Sequence, residues 1–184
     1  MIYLSNEQLF TPKDALELLE RARSLVKDQE IIIRDCRVSR HHIEFDTSLP
    51  DHLELDTLLD PLKRISELVN YMPVVEKHME KDDAIQYARR LFNEEKYWSS
   101  HEVLESIWKN SQGIEKDVLN GIILIAAALV HAQKDEDQVC ISILKRALAK
   151  LMHAHYTYHG IDIDALSAKV SEMVKIGKVE WLTI

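Results

Sequence analysis

Along the chain, apolar positions first recur at helical spacing, then crowd and alternate, then return to helical spacing for the rest of the sequence. Thr11-Pro12 reads as an N-cap and first helical residue. Ala15, Leu16, Leu18, Leu19, Ala22, Leu25 and Val26 then mark an apolar face running to about Asp28. Two β-like runs follow. Residues 30–38 are dense in isoleucine, and 41–47 alternate, with Ile43 and Phe45 on one side and His42, Glu44 and Asp46 on the other. Ser39-Arg40 joins them without an Asn-Gly turn signal. Beyond Pro50 the spacing predicts a helix from about Thr57 to Tyr71, with Pro61 in its first turn or kinking it. A stable sheet needs one more strand, and both 1–5 (MIYLS) and 178–184 (KVEWLTI) are candidates.

From Pro73 onward the pattern is helical. A charged junction at 73–81 precedes helices over 82–96, 99–110, 114–134, 136 to about 158 (ending at Gly160), and 164–176. The predicted fold class is α+β. A small α/β unit at 1–72, a short antiparallel sheet plus two helices, takes 178–184 as a candidate extra strand. A multihelical array follows over 73–184.

Composition removes several function classes. A net charge of −8 lacks the basic footprint of a nucleic-acid binder, and Arg34, Arg37 and Arg40, interrupted by Asp35, read as a solvated strand edge. Cys36 and Cys140 form no C-x-x-C pair, and the N-terminus lacks a secretion signal, so reduced thiols and a cytoplasmic location are expected. The longest apolar run, 121–132, is shorter than the roughly 20 residues a bilayer span takes. No membrane role is expected.

The chemistry concentrates in residues 101–108. At 3.6 residues per turn, His101, Leu104, Glu105 and Trp108 share one stripe. Leu104 and Trp108 pull that stripe inward, and burying an imidazole and a carboxylate costs several kcal/mol unless each finds a partner. A metal ion or a hydrogen-bond network would supply the partner. For the metal reading, His101 and Glu105 one turn apart suit Zn or non-haem Fe. His131 is the third ligand: in a helical hairpin the start of one helix lies opposite the end of the next. Asn120, Leu124, Ala127 and His131 recur along one stripe of that next helix, and Gly121 with the alanines permits close approach.

The network reading uses the same residues differently. Ser99-x-x-Glu102 fits a capping box, which assigns Glu102 to the helix start. Glu105 then accepts from His101 or His131, completed by the Asn120 amide or the Trp108 N–H. A zincin H-E-x-x-H would need His in place of Glu105. His155 and His159 form a second one-turn pair, read as a helix end with tyrosines over the core, and Cys140 reads as a core thiol.

Leu91-Phe92-Asn93, Tyr97-Trp98, His101-Glu102-Val103-Leu104-Glu105 with Trp108, Asn120-Gly121-Ile122-Ile123, Ala126-Ala127-Ala128 and His131 together resemble an uncharacterised family of bacterial and archaeal proteins, domain of unknown function 309. The resemblance covers about residues 84–170 and rests on H-x-x-x-E-x-x-W, matched by His101, Glu105 and Trp108. It implies metal binding without an established activity. Taken together, the leading reading is a small cytoplasmic metal-binding protein that uses His101, Glu105 and His131, hydrolytic if the ion keeps an open position. The alternative is a non-catalytic scaffold with a protein partner or a second copy of itself, in which the His–Glu pair is structural.

Overall fold

The computed structural model describes residues 1–73, 79–154 and 156–184. Its N-terminal run, β1 (Ile2–Ser5), is an interior strand, because both of its faces bury apolar or aromatic groups: Ile2 and Leu4 on one side, Tyr3 on the other. Thr11 and Asp14 close a capping box at the 3-10 turn Pro12–Asp14, and α1 (Ala15–Leu25) follows. Leu16 lies off the buried stripe and stays exposed, while Leu18, Leu19, Ala22 and Val26 go inward.

The strands β2 (Ile32–Val38) and β3 (His42–Ser48) form the expected hairpin. The missing turn signal is supplied by Ser39, whose hydroxyl accepts the N–H groups of His41 and His42 at 3.2 and 2.9 Å. The helix expected over 57–71 is shorter. α2 spans Leu55–Leu62 with Pro61 in its last turn, where it removes one intrahelical hydrogen bond. Leu68–Tyr71 is instead a strand, β4, antiparallel to β1.

The sheet order is β2-β3-β1-β4, antiparallel throughout. With α1 between β1 and β2, and α2 between β3 and β4, this is the β-α-β-β-α-β order of ferredoxin-like sheets. Residues 178–184 are not part of it; β1 and β4 complete the sheet instead. Ile2, Leu4, Leu18, Ala22, Ile43, Phe45, Leu58 and Leu62 make its core.

Across the other face, the register aligns Arg37, Glu44, Tyr3 and Asn70 in one row. Arg37, read from sequence as solvated, is 3% exposed and ion-paired with the fully buried Glu44 and with Asp35 at 3.2 Å. Burial holds the Glu44 carboxyl above its ordinary range, against the pull of Arg37. Side chains occupy several polar groups along the two edge strands. Asn70 Oδ1 accepts the Tyr71 N–H at 2.7 Å, Asp35 Oδ1 accepts that of Cys36 at 3.1 Å, and Arg23 donates to the Ile33 and Arg34 carbonyls. These contacts occupy polar groups that would otherwise template another strand.

Residues Met1–Glu76 with Gln133–Asp135 make one compact unit, and Lys77–Ala132 with Glu136–Ile184 make the other. Within the first, the Val38 N–H donates to the Gln133 carbonyl at 2.9 Å and Lys134 lies 3.5 Å from Asp35.

The second unit contains α3 (Lys81–Asn93), α4 (Tyr97–Trp108), α5 (Gly113–Ala132), α6 (Asp137–Leu151) and α7 (Ile163–Ile176), each packed on the next. The centre is α5, which buries Val118, Leu119, Ile122, Ile125, Ala126, Ala128 and Leu129. The helix expected to reach 158 stops at Leu151. In its place β5 (Thr157–Tyr158) and β6 (Ile161–Asp162) pair around His159 and Gly160, whose φ of 46° and 85° give the two left-handed residues of a tight hairpin. The C-terminal run packs here: Trp181 stacks on Tyr97, Leu182 joins the core, and Ile184 hydrogen-bonds Asn93 and Arg89. Among the described residues, no helix is long and apolar enough to cross a membrane.

Candidate metal centre

The motif helix starts earlier than Ser99. Glu95, at φ 60°, turns the chain out of α3, and α4 begins at Tyr97 with Lys96 before it. Ser99 is therefore the third helical residue rather than an N-cap, and the Ser99–Glu102 capping box is not formed. Glu102 is therefore not committed to a helix cap. Ligand atoms of His101, Glu102 and Glu105 lie within 4.8 Å of one another.

His101 is fixed from two sides. Its Nδ1 faces the Ile123 carbonyl of α5 at 3.4 Å; a carbonyl only accepts, so Nδ1 carries the hydrogen in that contact. The ring stacks on Trp98, with centroids 5.5 Å apart and planes at 12°. Nε2 is left facing Glu105 Oε2 at 3.8 Å, which is beyond hydrogen-bond reach. Such a histidine, held through one nitrogen and open at the other, has the usual orientation of a metal ligand. The His101 and Glu105 side chains are 19% and 39% exposed, so the group is a surface-accessible site rather than a sealed core network.

The remaining expected residues are spread along the α4–α5 hairpin. His131 is eight residues beyond Ile123, about 12 Å further along α5 at 1.5 Å per residue. Its Nδ1 pairs with the Glu136 carboxylate, and it is outside the His101 group. Trp108 lies under the Lys116 ammonium, 4.7 Å from the ring centroid, and its buried indole N–H has no acceptor. Asn120 is partly buried on α5. Gly121 faces α6: a Cβ there would overlap the Leu151 side chain, so its role is close packing. Of the second histidine pair, His155 lies outside the described residues, and His159 sits in the hairpin turn, 3.5 Å from Asp82. Burial pushes the Cys140 thiol up to about 12 and also raises that of Cys36, so neither is a thiolate nucleophile.

Residues 85–142 match a family described only as a domain of unknown function (DUF309). The DUF309 match takes in the last two thirds of α3, then α4, α5 and the start of α6. It contains the whole His101–Glu102–Glu105 group together with Trp108, Asn120, Gly121 and His131. No curated protein matches the chain.

Sequence reasoning set Glu102 apart from His101 and Glu105 because Ser99-x-x-Glu102 satisfies the capping-box pattern. The available signal was the longer apolar face beginning at Tyr97, which places Ser99 inside the helix.

Proposed function

We propose that the helical unit binds one divalent transition-metal ion through His101 Nε2 and the carboxylates of Glu102 and Glu105. The observation that carries this reading is the convergence of three ligand atoms within 4.8 Å beside an imidazole whose other nitrogen is already held. One nitrogen and two carboxylate oxygens suit Zn, Fe(II) or Mn(II). With all three ligands on one helix, the opposite side of the ion is left to solvent or substrate. That openness is what a hydrolytic site requires, so hydrolysis is the activity class to assay. The alternative, a structural His–Glu clasp in a non-catalytic scaffold, needs a hydrogen bond that the 3.8 Å His101–Glu105 separation does not provide.

Metal content by mass spectrometry, on protein purified without a histidine tag, tests the proposal. Near-stoichiometric metal is expected in the native chain and its loss in His101→Ala and Glu105→Gln, with circular dichroism unchanged. Absence of metal after reconstitution would sink the reading and turn the search to protein partners.

A further inference from the structure

Residues 178–184 are held differently from the rest of the helical unit. They follow Gly177, which ends α7 at φ 73° and has open space where a side chain would start. They form no helix or strand, and among the described residues they make no main-chain to main-chain hydrogen bond. Two side chains of α3 supply the polar anchors. Asn93 spends both ends of its amide on one residue: Nδ2 donates to the Ile184 main-chain oxygen at 2.9 Å, and Oδ1 accepts the Ile184 N–H at 2.8 Å. Arg89, one turn earlier, donates from Nε to the same oxygen at 2.8 Å.

The apolar anchors are Val179, Trp181, Leu182 and Ile184, while Lys178, Glu180 and Thr183 are exposed. Trp181 lies parallel to the Tyr97 ring, 6.2 Å away, and Tyr97 is braced edge-on by Phe92 at 4.9 Å. Folded domains hold extended peptides in this way, with fixed partners for the main chain and a shaped surface for selected side chains. The two sides of the contact also differ in origin. Arg89, Phe92, Asn93 and Tyr97 lie within the DUF309 match over 85–142, and residues 178–184 lie outside it. The receiving face belongs to the matched helices; the segment seated on it does not.

We propose that the α3–α4 face is a recognition groove for an extended peptide of the pattern Trp-Leu-x-Ile on a protein partner, and that residues 178–184 are its built-in competitor. The partner segment would pair its main chain with Asn93 and Arg89 and lay an aromatic ring on Tyr97. Asn93 and Arg89 read only main chain, so Tyr97 and the pocket of Leu182 set the choice of sequence. A tethered competitor acts at an effective concentration on the order of millimolar. A partner of modest affinity is therefore excluded until the segment swings away about Gly177.

The test uses the full chain with a site-specific protease sequence inserted between Gly177 and Lys178, cut only after folding. A labelled peptide of residues 178–184 is the probe, read by fluorescence anisotropy. The cut chain should exchange its own segment for the peptide and bind it at least about tenfold more tightly than the uncut chain does. Asn93→Ala should weaken binding to the cut chain about tenfold, through two lost hydrogen bonds. A peptide with alanine in place of its tryptophan should not bind. Equal binding to cut and uncut chains would remove the competitor. A cut chain that keeps its segment against excess peptide, or loses its fold on cutting, would make 178–184 part of the core and overturn the groove. A dimer of the uncut chain that the peptide disperses would make the occupant a second copy, which also overturns the proposal.

Discussion

An imidazole with one nitrogen tied to a main-chain carbonyl has a single lone pair left to give, and in His101 it lies on the side of Glu105. This separates His101 from His131, whose tied nitrogen is held by the flexible carboxylate of Glu136. Glu102→Gln should therefore lower metal affinity at least about tenfold, as loss of a group at a metal centre generally does, whereas Glu136→Gln should leave it unchanged. Calorimetric titration distinguishes the two, and the reverse pattern would make His131 the ligand. At this scale the nearness of His101 and Glu105 was legible, because helical period alone places them together. It misassigned Glu102 because a capping box is a local pattern, and only the true start of α4 decides whether it forms.

Element lengths explain what residue spacing could not. α4 has 12 residues and α5 has 20, so α5 outruns its neighbour by about 12 Å, and His131 rides on the overhang. The stretch 68–71 misled for a related reason: Leu68 and Val69 fit a helical stripe as well as a strand, and Pro61 fits the last turn of a helix as well as the first. Pairing with β1 decided the matter, and pairing is not a local property. The hairpin β5–β6 was also hidden, since His159-Gly160 is not one of the Asn-Gly or Asp-Gly pairs that signal a two-residue turn. The glycine makes a test. Gly160, at φ 85°, sits against the Arg89 guanidinium, while Gly113, at φ 60°, faces open space. Gly160→Ala should cost about 2–3 kcal/mol and Gly113→Ala about 1 kcal/mol, read from urea denaturation of the full chain. Equal costs would mean that the Arg89 contact does not constrain the turn.

Across the helical unit, one polar latch joins three elements: Lys81 at the start of α3, Glu115 at the start of α5, and Tyr158 in the hairpin, whose hydroxyl donates to Glu115 at 3.0 Å. The Lys81 and Tyr158 bonds hold the Glu115 carboxyl below its ordinary 4.5. Its contribution is present above pH 4.5 and is lost as pH falls through the lowered value. Burial and Glu115 raise the Tyr158 phenol above its ordinary 10, so that contribution is full below pH 10 and is lost as pH rises towards the raised value. Melting temperature should accordingly decline at both extremes. Glu115→Gln should flatten the acid limb and Tyr158→Phe the alkaline one, each by no more than about 4 °C because the latch is partly solvated. An unchanged acid limb in Glu115→Gln would remove the latch from the account. At the level of the whole chain, the α+β class was legible from the change in apolar period. The place of residues 178–184 was not, because Trp181 and Leu182 suit a strand and a helical core alike. The three tryptophans now have distinct neighbours: Trp181 a phenol, Trp108 an ammonium, and Trp98 the imidazole of His101. Indole emission is quenched by a stacked imidazolium and altered by a nearby ion, so Trp98 is a built-in optical gauge of the site. With Trp108 and Trp181 replaced by phenylalanine, the colour and brightness of the chain would follow the state of one histidine.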